Sequence, residues 1–469
     1  MTKFFSILLF IGAAVSPAYA MDPAGFSRGF DLASIRQEAA GIAVPQPAQP
    51  QADFSQAPSV LKEWTVLTFL NGANDRADLY SENLRAMSAV GTTENVNVVV
   101  EAAFKMENRS LVQRMLVLPG DGKEINSEVY KTWINRDMGD WRNAADFFKW
   151  GKAKFPAKRY ILIIQNHGGG FVDETSVPKP GDKGISYDSV NHSYIKVPEL
   201  PLLLKEAGGA DIFIMNACEM QMAEVAYEIG TNAGVIIASE ETDSSLYYQH
   251  KERLVYLNAN PQASAEKIAA AFVAMRKKML TPGNTYYSEV FTSTITVDSS
   301  DKNTLSAIRT SELAGLPSAL DAWTSVVMAA NEPEALKFAI ASAIRFGVQT
   351  PSGQPFSRFA DLGDFAARIW TASKKQEVKD ATAELLSFIS NKLVIANSAM
   401  NSNANGTDYG KSVRGIAIKM IPLTPVNQSV LSLNSTVVVD TKYEDLLLSK
   451  ESQWDEFLKW AGNIYYQPR

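Results

Sequence analysis

The chain has 469 residues, with 45 Lys and Arg against 51 Asp and Glu, 46% hydrophobic and 10% aromatic residues. A net charge of -6 leaves no basic footprint for nucleic acid, and 8 Trp with 22 Phe is far from a disordered composition. One cysteine and three histidines exclude an intrachain disulfide framework and leave too few soft ligands for a structural zinc cluster, so neither metal nor cofactor is expected.

The first twenty residues hold Lys3, an apolar run over 4–15 and the processing pattern Ala18-Tyr19-Ala20, which reads as a secretory signal cleaved after Ala20. That run is shorter than the roughly 20 residues a spanning helix needs. No later segment is a continuous apolar 18-mer, so a secreted or periplasmic product without a membrane span in its mature chain is expected. Residues 21–60 carry Pro23, Pro45, Pro47, Pro50 and Pro58 among small and polar residues and read as a linker or pro-segment. From Trp64 onward, short β-branched apolar runs at 64–70, 96–100, 160–164, 212–215 and 235–238 predict strands covered on both faces. Between them, 78–90 and 144–154 carry helical spacing. Strand alternating with helix predicts an α/β fold over residues 61–300, a mostly parallel sheet flanked by helices, with chemistry at the carboxyl ends of the strands. Beyond about residue 298 the spacing is helical at 304–313, 318–330, 333–345, 359–372, 377–395 and 454–460, with a strand-like piece at 413–418. Residues 301–469 are therefore expected to form a largely helical C-terminal region.

Two residues stand at strand ends with chemistry to offer. His167 follows the strand at 160–164 and is followed by Gly168, Gly169 and Gly170, so the sheet would hold the imidazole while bare backbone approaches a ligand and turns amides toward an anion. Alone, this is equally a plain strand-to-loop turn. Cys218 follows the strand at 211–215, and Met222, Val225, Ala226 and Ile229 make a helical stripe after it, which predicts a thiol at a helix N-terminus where the dipole favours thiolate. A lone cysteine is as readily an inert buried residue. A histidine and a cysteine ending strands of one sheet supply a base beside a nucleophile. His192 and His250 lie in polar stretches and are expected to be exposed. Asp173, Glu174, Glu240, Glu241 and Asp243 make acidic clusters near strand ends that could hold calcium through oxygen ligands, but no EF-hand spacing supports it, and solvated surface is the reading for most of them.

These residues resemble the clostripain-like cysteine peptidases, which share the caspase-type α/β fold. The resemblance runs through WTVLTFLNGANDRADLYSENLRAM with NVNVVVE, FPAKRYILIIQNHGGGF, NACEMQMAEVAYEIG, IIASEE and RGIAIKMIP. It implies that His167 is the catalytic acid or base, Cys218 the nucleophile, and the Gly168 and Cys218 amides the oxyanion hole, with protein or peptide substrates. Family members typically cut after Arg or Lys, read by an acidic residue two places before the cysteine. That position is Asn216 here, so the basic preference is expected to be weakened or altered, with Asp243 a candidate second acidic contact. Family members are often self-activated between the histidine and the cysteine, and Lys183, before Gly184, is the expected cut. The reading is an exported cysteine endopeptidase; the alternative that Asn216 keeps open is a catalytically silent caspase-like scaffold binding peptide or a protein partner.

Overall fold

The computed structural model describes residues 61–171, 184–288, 293–298, 302–346, 359–400, 408–423 and 443–466. Among these, nine strands make the main sheet: β1 Lys62–Gly72, β2 Val96–Met106, β3 Arg109–Val117, β4 Ser127–Ile134, β5 Ala157–Gln165, β6 Ala210–Asn216, β7 Ala233–Ala238, β8 Asn303–Arg309 and β9 Val394–Met400. Their order across the sheet is β9-β8-β7-β6-β5-β1-β2-β3-β4. The five central strands, β7 to β2, are parallel, and an antiparallel pair closes each edge. Burial explains the sequence texture. In β1 every residue from Glu63 to Gly72 is buried, as helices on both faces require, whereas edge strand β4 exposes Glu128, Val129, Tyr130, Lys131 and Thr132.

The chain leaves β1 toward β4 on one side and returns to β5 on the other. The strand order therefore reverses between β1 and β5, where the outgoing loops diverge and leave a crevice at the carboxyl ends. Helices α1 Ala77–Ser88, α2 Trp141–Lys154, α3 Ala223–Ile229, α4 His250–Ala259 and α5 Ala265–Met279 cover the sheet. The carboxylate of Asp140 caps α2 by accepting from the Arg142 amide. That helix sits close on β1 at Gly151, where a Cβ would come within 2.1 Å of Leu67 Cδ2.

Beyond residue 298 the structure departs from the helical expectation in three places, one of them Phe359–Asp361, a short strand before helix Leu362–Ala372. Residues 304–313 form strand β8 and a 3-10 turn, Thr310–Gly315, because they slot between β7 and β9 with six of seven strand residues buried. Tertiary pairing overrides the helical spacing there. The stretch at 377–395 starts as helix Gln376–Ser387, loosens into a π turn over Phe388–Leu393, and becomes β9. The main sheet thus continues past residue 300. The strand-like stretch at 413–418 supplies only Ala417–Lys419, paired with Phe359–Asp361. Thr310–Ala330 is, among the described residues, one helical stretch long and apolar enough to cross a membrane. It buries Leu316, Leu320, Trp323 and Val327, and Trp323 stacks on Trp454 of the last helix, Trp454–Tyr465.

Candidate active site

Strands β5 and β6 are in register with Gln165 opposite Asn216, and the Asn166 amide donates to the Asn216 carbonyl at 3.2 Å. His167 and Cys218 each stand two residues beyond that pair, so one sheet edge presents both. The loops touch at Gly168: a Cβ there would come 2.5 Å from the Cys218 carbonyl oxygen and 2.8 Å from Ala217 Cβ. Only a residue without a side chain allows this approach. The Gly168 and Cys218 amides have no acceptor among the described residues. The His167 loop is tied down beyond this point, with Ser186 N donating to the His167 carbonyl and Gly169 N to the Gly184 carbonyl, both at 3.2 Å.

The loop leaving β1 completes the histidine's surroundings. The Asn71 side chain donates to Ser186 Oγ and the Tyr187 carbonyl, Asn166 Nδ2 donates to the Asn71 carbonyl, and Asn74 Oδ1 accepts from the Arg76 amide. This pins Asp75 and Arg76 against the imidazole. His167 Nε2 lies 2.7 Å from Asp75 Oδ1 and 3.3 Å from Arg76 Nε. The shorter contact, to a carboxylate, assigns the proton to Nε2, which leaves the Nδ1 lone pair free; Nδ1 has no partner among the described residues. Burial opposes ionisation of Asp75, but the His167 hydrogen bond and the charges of His167 and Arg76 hold its carboxyl below the usual range. Asp75 and Arg76 were not singled out in the sequence, although the polar string Asn71-Gly72-Ala73-Asn74-Asp75-Arg76 directly after a buried strand was the available signal.

Cys218 is partly buried on a turn, and the helix that follows, α3, begins only at Ala223 and has seven residues. The expected placement at a helix N-terminus is therefore wrong, because residues 219–222 run on as irregular chain with Gln221 N bonded to the Ser239 carbonyl. Burial pushes the thiol up to about 11, with the Asp243 amide, which donates to Sγ at 3.3 Å, pulling the other way. The thiol is thus neutral at pH 7 in the unliganded protein.

Asp243 is not a free acidic contact. Its side chain is 1% exposed and bound by Arg276 of α5 at 2.8 Å, with Asn303 Nδ2 at 3.3 Å. Asn216, 1% exposed, donates to Gln165 Oε1 at 3.3 Å and accepts from Arg253 Nη1 of α4 at 3.4 Å. His250 is also buried, contrary to expectation, because its Nε2 meets Gln165 Oε1 at 2.8 Å; burial and the Arg253 charge lower it to about 3, so it is neutral. His192 is exposed. Glu240 and Glu241 are buried rather than solvated: their amides donate to Thr304 Oγ1, and Glu241 accepts from the Tyr409 hydroxyl. Asp173, Glu174 and Lys183 lie outside the described residues, as do the signal and linker segments over 1–60. Among the described residues no group of three or more His, Cys, Asp or Glu is arranged to hold a metal ion.

A family model described as Clostripain family matches residues 69–460. Clostripain of Hathewaya histolytica is 31% identical over 131 residues, 25% of this chain and 24% of that protein, so the chain spans about a quarter of that relative's length in the match. A secreted C11 cysteine protease from Bacteroides thetaiotaomicron, solved with an irreversible peptide inhibitor, superposes with a TM-score of 0.58 at 16% identity, over 87% of this chain and 100% of that one. An inactive zymogen C11 protease from Parabacteroides distasonis gives 0.57 at 18% identity, over 84% and 99%. At these identities the structural likeness speaks for the fold.

Proposed function

Because the chain belongs to the Clostripain family, we propose that it is an exported cysteine endopeptidase that cuts protein or peptide substrates with a His167/Cys218 dyad, its preference for basic residues weakened or altered. The observation that carries this reading is the common strand-end address of the two residues, two places beyond the Gln165 and Asn216 pair, with the Gly168 backbone against the Cys218 carbonyl.

In this reading Cys218 Sγ attacks the scissile carbonyl while its proton passes to His167 Nδ1, since a neutral thiol must lose the proton as the C–S bond forms. The resulting oxyanion accepts from the Gly168 and Cys218 amides. The His167 imidazolium, its charge balanced by Asp75, then protonates the leaving amine, the C–N bond breaks and a thioester remains. Water, deprotonated by His167, attacks the thioester and regenerates the thiol. Asn216 supplies no charge for a basic side chain, and Asp243 spends its carboxylate on Arg276, which supports a weakened or altered preference. A cut after Lys183 would free Gly184 as a new N-terminus, which sequencing of incubated protein would detect.

Purified Cys218→Ala and His167→Ala, assayed on a fluorogenic peptide panel with and without a thiol alkylating agent, test the dyad. Cys218→Ala should be silent and His167→Ala should lose on the order of 10²–10⁴ in rate. Turnover retained by Cys218→Ala would overturn the mechanism, because the chain has no other cysteine.

A further inference from the structure

Behind Cys218 lies a buried polar chamber whose charge does not balance. Its walls come from five elements: Gln165 from β5, Asn216 from β6, Asp243 from the loop after β7, His250 and Arg253 from α4, and Arg276 from α5. His250 is neutral, and Asp243 is bound by Arg276. Arg253, 3% exposed, donates to the amide oxygen of Asn216 and lies over the face of Phe272, and its Nε and Nη2 have no hydrogen-bond partner among the described residues. Glu252, its neighbour on α4, points to solvent as an exposed residue. Among the described residues, two guanidinium groups therefore face one buried carboxylate. Burial, with the like charge of Arg276, lowers Arg253 to about 9, which reflects a cation held without its counter-ion.

The chamber is also coupled to the nucleophile. Asn216 begins the turn that carries Cys218, and the residue whose carboxylate holds Arg276 is the one whose amide holds Sγ. Tyr80 and Tyr248, both buried, neighbour Cys218, and Tyr248 also neighbours Asp243 and Arg276. Arg253 also borders a small, mostly apolar cavity lined by Val66, Thr68, Ile161, Ile163 and Phe272, where the Thr68 hydroxyl has no partner among the described residues. The guanidinium thus keeps free donors at Nε and Nη2.

We propose that Arg253 is the specificity-determining residue of this site and that it reads a carboxylate, so that the chain cuts after Asp or Glu rather than after Arg or Lys. The inference rests on the peptidase reading above. A guanidinium with two unspent donors in a low-dielectric pocket pairs with a carboxylate in fork geometry, and it repels the basic side chain that an acidic residue at position 216 would attract.

The test is a peptide panel in which only the residue before the cut changes, among Asp, Glu, Asn, Ala, Leu, Arg and Lys, assayed on the full chain, on Arg253→Gln and on Asn216→Asp. Wild type should show kcat/KM for Asp or Glu at least tenfold above Arg or Lys. Arg253→Gln, checked by circular dichroism and a cooperative melt, should lose about tenfold on the acidic peptides and little on Ala or Leu. Asn216→Asp should pair Arg253 internally and move the profile toward Arg. A wild-type preference for Arg or Lys overturns the proposal whether or not Arg253→Gln folds, and so does an unchanged profile in a folded Arg253→Gln. Turnover without an acidic preference sinks this inference alone. No turnover of any peptide or of a denatured protein, with no labelling of Cys218 by a peptidyl electrophile, sinks the peptidase reading and this inference with it.

Discussion

Asp243 divides its backbone from its side chain. Its amide donates to the Cys218 sulfur, and its carboxylate neutralises Arg276 in the interior. A lone amide does not offset the burial of the thiol, which stays protonated up to about pH 11 in the unliganded protein. Iodoacetamide should therefore label Cys218 at a rate that climbs roughly tenfold per pH unit from 7 to 10. A plateau near neutrality would show that the thiolate is already formed at rest. At this scale the sequence exposed the histidine and the cysteine, because each follows a strongly apolar run. It hid Asp75, which meets His167 from 92 residues away in sequence, and it made Asp243 look available because only the partner at position 276 consumes its charge.

The elements matter through how closely they approach. Gly168 has ordinary backbone angles, so its role is steric: a methyl group would collide with the Cys218 carbonyl, Ala217 and Met220 at 2.5 to 3.0 Å. Gly168→Ala should push the two loops apart, cost about 1–3 kcal/mol of stability, and depress kcat/KM more than stability alone explains, as thermal melts and steady-state rates on one preparation would show. Helix α3 carries Glu224 fully buried, with the Lys419 amide donating to Oε1 at 2.9 Å. Burial raises this carboxyl to about 7. A folded-state value above the unfolded one means that its stabilising share is complete below about pH 4.5 and is lost as pH rises through 7. Glu224→Gln should therefore be more stable than wild type by about 2–3 kcal/mol at pH 8 and nearly equal at pH 5, measured by denaturant titration at both. Equal effects at the two pH values would rule out an ionising Glu224.

Across the whole molecule, the site depends on strands that the sequence spacing assigned to helices. Thr304 of β8 accepts from the Glu240 and Glu241 amides and bonds the Ser239 hydroxyl, which fixes the chain leading to Asp243 and so the contact to Sγ. Asn303 supports the Asp243 carboxylate directly. A chain ending at residue 300 would lose these anchors and leave β7 as a bare hydrophobic edge, which pairs with other chains. Such a fragment should aggregate on size exclusion and show no peptide turnover; a monodisperse, active fragment would mean that the sheet needs neither β8 nor β9.

Continuous apolar runs bounded by polar loops can be laid only into a sheet covered on both faces. The parallel core, its strand ends, and the placement of His167 and Cys218 on them follow from that local pattern. Residues 304–313 show where local pattern stops. Their spacing satisfies a helix, and only the open edge of β7, reached after a long excursion of chain, makes a strand the better burial. Electrostatics followed the same division. Charges on Asp75, Asp243, Arg253 and Arg276 are visible in the sequence, but which carboxylate each guanidinium finds, and which one it lacks, is a matter of distances between segments 33 to 92 residues apart.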